Sequence, residues 1–341
     1  MKYPPVLFVD QTIFVCAPSN GLNKKNEILF KKACKMFKEK GFCLKFSKNL
    51  KNTKGFVSAS AFERAKEFEA AWLDPKINCL CAVAGGQFMM EILPHLNAKK
   101  LKNHKKFFVG FSDNTILCHF LLTHLDTCSL YAYNFYTFAY LNKHLSVNYA
   151  FKAITEFKSE FSSFNKRESK RIYTKTGKET QIEFETLSNW EVLAKGQNKE
   201  KEFCFKGRAV GGCIDVLLCY LGTKFDRTKK FLKKYKKQGF VWVFESCDID
   251  PLEVKRALWQ MKQNGWFKFV NGFVFGRPFN AQNVGDLSHK QAILEVLEEF
   301  DVPILFNADF GHVYPQIPLY LGAVVSFLVA EKEFKIKYDF V

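Results

Sequence analysis

The sequence predicts a mixed α/β protein: a mostly parallel N-terminal sheet with helices on both faces, then a smaller C-terminal α/β domain. Three observations predict this. Strand-like and helix-like runs alternate four times before residue 126, and such alternation requires crossovers that leave the strands parallel. The regularity then fails from Leu145 to Phe205 and resumes at Gly207. Finally, 341 residues, 48% of them apolar, suffice for two buried cores and exclude a disordered chain.

The elements follow in order. Thr12 to Cys16 reads as a first strand, closed by Ala17-Pro18-Ser19-Asn20-Gly21. Asn23 to Lys40 reads as a helix with Ile28, Leu29, Ala33, Met36 and Phe37 on one face and Gly41 as its C-cap. A strand at Phe42 to Phe46, a helix at Ala59 to Leu73, a strand at Ile77 to Ala84 and a helix at Phe88 to Leu96 follow. Phe107 to Val109 is a buried strand, and Asp113 to His124 a helix with Ile116, Leu117, Phe120, Leu121 and His124 on one broad face.

Residues 146–206 carry the polar stretch KSEFSSFNKRESKRIYTKTGKETQIEF and then Ser188-Asn189-Trp190. They read as a linker with an inserted flap, weakly alternating from Thr180 to Phe184 as a hairpin does. Trp190 is either a flap anchor or a substrate-facing aromatic. Within 207–341, glycines frame a short helix at Ile214 to Leu221. Strands are expected at Gly239 to Phe244, Phe269 to Phe275, Pro303 to Asn307, near Ala323 to Leu328 and at Phe334 to Tyr338. Helices are expected at Leu252 to Asn264 and Gln291 to Phe300. The division is thus 1–145, 146–206 and 207–341.

The formal charge of +17 invites a nucleic-acid partner, but the lysines come as scattered pairs, such as Lys24-Lys25 and Lys236-Lys237, without any recognition motif. We expect a solvated basic surface and no nucleic acid. Eleven cysteines without a CxxC pair indicate a reduced, cytoplasmic protein with no zinc site. The most apolar region, Ile116 to Leu141, is interrupted by His119, His124, Asp126 and Asn134, so no membrane span is expected. No GxGxxG or GxxxxGKS/T occurs, and no cofactor is expected.

The chemistry points to Ser112. It lies at a strand-to-helix turn in KFFVGFSDNTILCHFLLTH, where a hydroxyl stands clear of the sheet and a helix N-terminus offers N–H groups to an oxyanion. Taken alone, Ser-Asp-Asn before a helix is more often just an N-cap. Gly85-Gly86, at another strand end, lets backbone approach a reacting carbonyl. Serine needs a base. His119 and His124 sit too far along the nucleophile's own helix, and His95, His104, His144 and His289 read as surface residues. His312 follows a strand and Gly311. Glu245 ends an apolar strand, where a lone carboxylate is costly; Asp248, Asp250 and Asp309 are alternatives in turn-like sequence.

Five motifs, in order, resemble the LD-carboxypeptidase family of serine peptidases, which includes the microcin C immunity peptidases. They are AGGQFMMEILPHLN (84–97), FVGFSDNT (108–115), GRAVGGCIDVLLCYLGT (207–223), VWVFES (241–246) and FGHVYPQIPLYLG (310–322). The resemblance implies Ser112 as nucleophile, His312 as general acid/base and Glu245 as the group fixing its tautomer. Backbone N–H groups of Gly86 and Asp113 would form the oxyanion hole, with Gly85 beside the substrate. It further implies a cleft between two domains, a homodimer, no metal, and hydrolysis of the amide to a terminal D-amino acid in murein tetrapeptide through an acyl-enzyme. A peptide–nucleotide conjugate is the alternative substrate within the family, and a non-catalytic binding protein with a basic cleft the alternative outside it. Two positions depart from the family: Ala84 stands where many cell-wall members carry arginine, and Cys213 where asparagine is usual.

Overall fold

A computed structural model describes residues 1–141, 144–173, 180–193, 203–329 and 334–341. The chain opens as the alternation requires, with β1 (Thr12–Cys16), α1 (Glu27–Glu39), β2 (Cys43–Phe46), α2 (Ala61–Leu73), β3 (Cys79–Ala82), a four-residue α3 (Ala98–Leu101), β4 (Phe107–Gly110), α4 (Thr115–Leu125) and β5 (Ser129–Tyr131). α1 buries Leu29, Ala33, Met36 and Phe37, one face at helical spacing. The Phe37 ring stacks on Phe135 and packs edge-on against Phe138. α2 begins at a capping box in which Ser60 and Glu63 bond reciprocally. The helix expected at Phe88 to Leu96 is instead a 3₁₀ segment, Met89–His95, because Pro94 removes a backbone donor inside it.

Strands β1 to β5 form a parallel sheet in the order β5-β4-β3-β1-β2. Its outer neighbour at β5 is a segment from far down the chain, Leu319–Leu321, which pairs antiparallel. Every residue of β3 and β4 is buried, as a strand covered on both faces must be.

The second half is built on a larger sheet. After α5 (Leu145–Thr155), the insert contributes β6 (Glu160–Ser162), β7 (Lys166–Arg167), β8 (Lys170–Tyr173), β9 (Thr180–Glu183), β10 (Thr186–Leu187) and β11 (Glu191–Leu193). The rest supplies β12 (Phe203–Cys213), α6 (Ile214–Leu217), α7 (Thr228–Tyr235), β13 (Phe240–Glu245), α8 (Pro251–Gln263), β14 (Val270–Gly276), α9 (His289–Leu297), β15 (Ile304–Ala308), β16 (Leu319–Leu321), β17 (Val324–Val329) and β18 (Phe334–Asp339). The sheet order is β11-β15-β14-β13-β12-β17-β18-β6, parallel from β12 to β15 and antiparallel outside. Among the described residues it has eight strands against six in the first sheet, since β6 and β11 come from the insert. β8 and β9 pair as the expected hairpin, whose connection at 174–179 lies outside the described residues.

α4 lies where the two halves meet. Nearly all its residues are buried, the pattern of a helix covered on every side. His119 of α4 bonds the Thr228 hydroxyl of α7 at 2.8 Å and stacks on Trp266. The nucleophile candidate therefore stands just ahead of a helix that is covered on nearly every side.

Candidate active site

Ser112 lies one residue beyond the end of β4, after Phe111, and opens the 3₁₀ turn Ser112–Asn114 that runs into α4. Its φ is +65°, a left-handed conformation that costs a side-chain-bearing residue energy unless its surroundings hold it. They do. Asn134 Oδ1 accepts the Phe111 N–H at 3.1 Å and an Asn114 Nδ2–H at 3.0 Å, while the Thr115 hydroxyl donates to the Ser112 carbonyl at 2.6 Å. This strained strand–turn–helix corner exposes a serine hydroxyl above a parallel sheet.

Glu245 is the last residue of β13, in register with Cys213 at the end of β12. His312 lies in the loop between β15 and β16. The three distant segments converge: His312 Nε2 is 3.0 Å from Ser112 Oγ, and His312 Nδ1 is 2.7 Å from Glu245 Oε2. Gly311 makes the approach possible. At φ +98°, a Cβ there would lie 2.7 Å from Glu245 Cβ and 2.9 Å from its Oε2.

Burial disfavours the Glu245 carboxylate, but the charge of His312 and hydrogen bonds from His312, Tyr131 and Cys213 outweigh it and hold the carboxyl below its usual range. Burial likewise opposes a charged His312, yet the Glu245 charge and hydrogen bond raise its pKa above the ordinary histidine value, helped by Asp215 and opposed by Arg171. A base whose conjugate acid is stabilised by an adjacent carboxylate is suited to taking a proton from Ser112.

The other carboxylates named from sequence have different partners. Asp309 forms a buried ion pair with Arg277 and accepts the Phe164 N–H at 2.8 Å. Asp250 caps α8, and the Asp248 N–H donates to Asp215 at 2.8 Å. Among the histidines, His144 caps α5 and His124 bonds the Phe225 carbonyl. His289, expected at the surface, is buried beside the Ile249 carbonyl.

Gly85-Gly86 lies against the serine. A Cβ on Gly85 would sit 3.2 Å from both Cβ and Oγ of Ser112; one on Gly86 would collide with the Ser19 hydroxyl at 2.1 Å. Ser19 in turn donates to the buried carboxylate of Asp113, which also accepts the Met89 N–H at 2.9 Å. Arg64 of α2, 2% exposed, bonds the Pro18 and Phe88 carbonyls, both at 3.0 Å, and so fixes the loops on either side. The glycine pair and the first helical turn are thus joined around the Ser112 hydroxyl. Trp190 is buried and packs on the Phe334 ring at 5.2 Å. Its burial and that ring contact are those of an anchor for the insert. The insert also reaches the histidine loop: Glu168 exchanges backbone and side-chain bonds with Tyr314, and Arg171 donates to the His312 carbonyl at 2.7 Å.

One residue escapes sequence reasoning. The Tyr131 hydroxyl lies between the Ser112 N–H, at 3.2 Å, and Glu245 Oε1, at 2.6 Å. Nothing in LYAYNF distinguishes it from a core aromatic. Among the described residues no group of three or more His, Cys, Asp or Glu could hold a metal ion, and no helix is long and apolar enough to cross a membrane.

A parallel α/β scaffold with a serine at a strained strand-to-helix corner, a histidine and a buried glutamate defines a hydrolase of the serine-nucleophile class. Comparison with known proteins gives the family. The LD-carboxypeptidase N-terminal domain matches residues 13–132 and the LD-carboxypeptidase C-terminal domain residues 206–327. The chain belongs to the LD-carboxypeptidase family and is a serine peptidase. It is 23% identical to the "Probable murein peptide carboxypeptidase" of Bacillus subtilis (strain 168), over 96% of this chain and 92% of that one. It is 22% identical to the "Microcin C7 self-immunity protein MccF" of Escherichia coli, over 87% and 84%. The crystal structure of an MccF-like protein from Bacillus anthracis str. Ames shares the fold, with a TM-score of 0.83 and 20% identity across 99% of this chain and 100% of that one.

Proposed function

We propose that the chain is a carboxypeptidase that hydrolyses the amide to a terminal D-amino acid in cytoplasmic murein tetrapeptide, with Ser112 as nucleophile. The observation that carries this reading is the continuous hydrogen-bonded line from Ser112 Oγ through the His312 ring to Glu245. The eleven free thiols suit action in the cytoplasm, and the family resemblance suggests a homodimer, which sedimentation equilibrium would test.

In this mechanism His312 Nε2 takes the Ser112 proton as Oγ attacks the carbonyl carbon. Glu245 holds the Nδ1–H tautomer and stabilises the imidazolium that forms. The Gly86 and Asp113 N–H groups receive the developing oxyanion. His312 then gives its proton to the leaving amine, and the C–N bond breaks to leave an ester on Ser112. A water, deprotonated by the same imidazole, hydrolyses that ester and returns the serine hydroxyl.

The family's alternative, a peptide–nucleotide conjugate, is supported by the insert, whose Glu168 and Arg171 hydrogen-bond the histidine loop. The two differ in leaving group. Mass spectrometry after incubation with each substrate separates them: release of D-alanine from tetrapeptide supports the first, and release of an aminoacyl nucleotide moiety alone supports the second. Turnover of neither, with no covalent labelling of Ser112, would instead favour a binding protein.

A further inference from the structure

We infer that Tyr131 is a positioning residue of the peptidase site, its single hydroxyl locking the strained backbone of the nucleophile to the buried glutamate. The inference rests on the peptidase reading above. It assigns Tyr131 a role that the triad alone leaves open, namely what occupies the second oxygen of Glu245 and what receives the Ser112 N–H.

Proton accounting fixes the direction of both bonds. A backbone N–H can only donate, so the Ser112 N–H donates to the phenol oxygen at 3.2 Å. The phenol proton then goes to Glu245 Oε1, 2.6 Å away, while Oε2 receives the His312 Nδ1–H at 2.7 Å. Each carboxylate oxygen thus has its own donor, one from β5 and the other from the loop between β15 and β16. Burial keeps the phenol neutral, with its proton available to give.

Tyr131 is well placed to act as a fixed point. It is the last residue of β5, 2% exposed, in register with Gly110 of β4 on one side and Leu319 of β16 on the other. Its ring also packs edge-on against Phe111, the residue before the nucleophile. A residue held by strands on both sides has little freedom, so its hydroxyl transmits the position of the sheet to both Ser112 and Glu245. Besides Tyr131, the titratable and charged groups among the described residues that face the Glu245–His312 pair are Cys213 on β12, Asp215 on α6, Cys247 beyond β13 and Arg171 on β8.

The test uses the full chain and two substitutions of opposite sense. Tyr131→Phe removes the hydroxyl. Replacement of Tyr131 by 2,3-difluorotyrosine keeps it but makes it a stronger donor and a weaker acceptor. The readouts are the pH dependence of fluorophosphonate labelling and the NMR titration of the His312 ring. In Tyr131→Phe the carboxylate loses a donor and binds the pair's proton more tightly, so the acid limb and the His312 titration move to higher pH, and labelling slows about tenfold or more. In the fluorinated protein both move to lower pH. Opposed shifts are what a merely structural tyrosine would not produce. Titrations unmoved in either variant, shifts of the same sign in both, or labelling of Tyr131→Phe within about twofold of the wild type would overturn the inference. Should Tyr131→Phe fail to fold, the direction of shift in the fluorinated protein decides. A wild-type chain that takes no label refutes the peptidase reading, while the His312 titration still decides the role of Tyr131.

Discussion

Glu245 and His312 stand 2.7 Å apart at Oε2 and Nδ1, although 66 residues of chain separate them and each comes from a different strand end. The contact orients the imidazole so that its other nitrogen meets Ser112 Oγ at 3.0 Å. Glu245→Gln keeps the shape but removes the charge and permits the wrong tautomer. Labelling and turnover should fall by ~10³–10⁴-fold while the folded content by circular dichroism is unchanged. Loss of the carboxylate should also lower the apparent pKa of His312, since that charge is what raises it.

How much of this site was legible in the sequence depends on what each residue answers to. Ser112, Glu245 and His312 were readable because each breaks a local rule: a polar residue at the end of an apolar strand, or a histidine after a glycine. Tyr131 breaks none, and its role exists only in the tertiary arrangement. β12 was read as glycines framing a short helix, because a strand with Gly207, Gly211 and Gly212 lacks the side-chain signal of a strand. The glycines are there for close approach. A Cβ at Gly211 would lie 1.9 Å from the Val243 carbonyl oxygen, and one at Gly212 2.6 Å from Thr115 Cγ2, at the start of the helix after Ser112. β16 was missed for a different reason: three residues in a proline-rich stretch carry no period, and only pairing with β5 makes them a strand.

Gly85→Ala should separate catalysis from stability. Its new methyl would press on Ser112 Cβ and Oγ at 3.2 Å, which must give by a few tenths of an ångström. Misplacing a nucleophile is costly even at that scale, so labelling should slow about tenfold while the melting temperature stays close to wild type. A large fall in melting temperature would show instead that the loop itself had broken.

Arg171 ties the insert to the histidine loop through the His312 carbonyl, and its ring-facing guanidinium lies 5.0 Å from the centroid of Phe279 and 4.8 Å from that of Tyr314. Its charge opposes protonation of His312. Arg171→Gln should therefore raise the His312 titration midpoint and move the acid limb of the rate profile to higher pH. It should also slow turnover several-fold by loosening the loop. An unmoved midpoint would mean that the charge is screened there.

His119 gives the fold a pH dependence of its own. Burial in the contact between α4 and α7 lowers its pKa from 6.5 to about 4. The folded state therefore refuses a proton that the unfolded chain accepts, so stability is complete above pH 6.5 and declines as pH falls toward 4. The loss from this group is on the order of 3 kcal/mol at the acid end. The partly buried His124 and His144 and the buried His289 act in the same direction. Urea unfolding of wild type and His119→Asn at pH 7 and pH 4.5 isolates the share of His119: the variant should be less stable at pH 7 but lose less on acidification.

Whether Ser112 carries the chemistry is decided by intact-mass and peptide-mapping spectrometry after treatment with a fluorophosphonate. One adduct is predicted, on the peptide containing Ser112, absent from Ser112→Ala and formed far more slowly in a His312→Ala chain. An adduct that persists in Ser112→Ala, or that maps to another serine, would contradict the account.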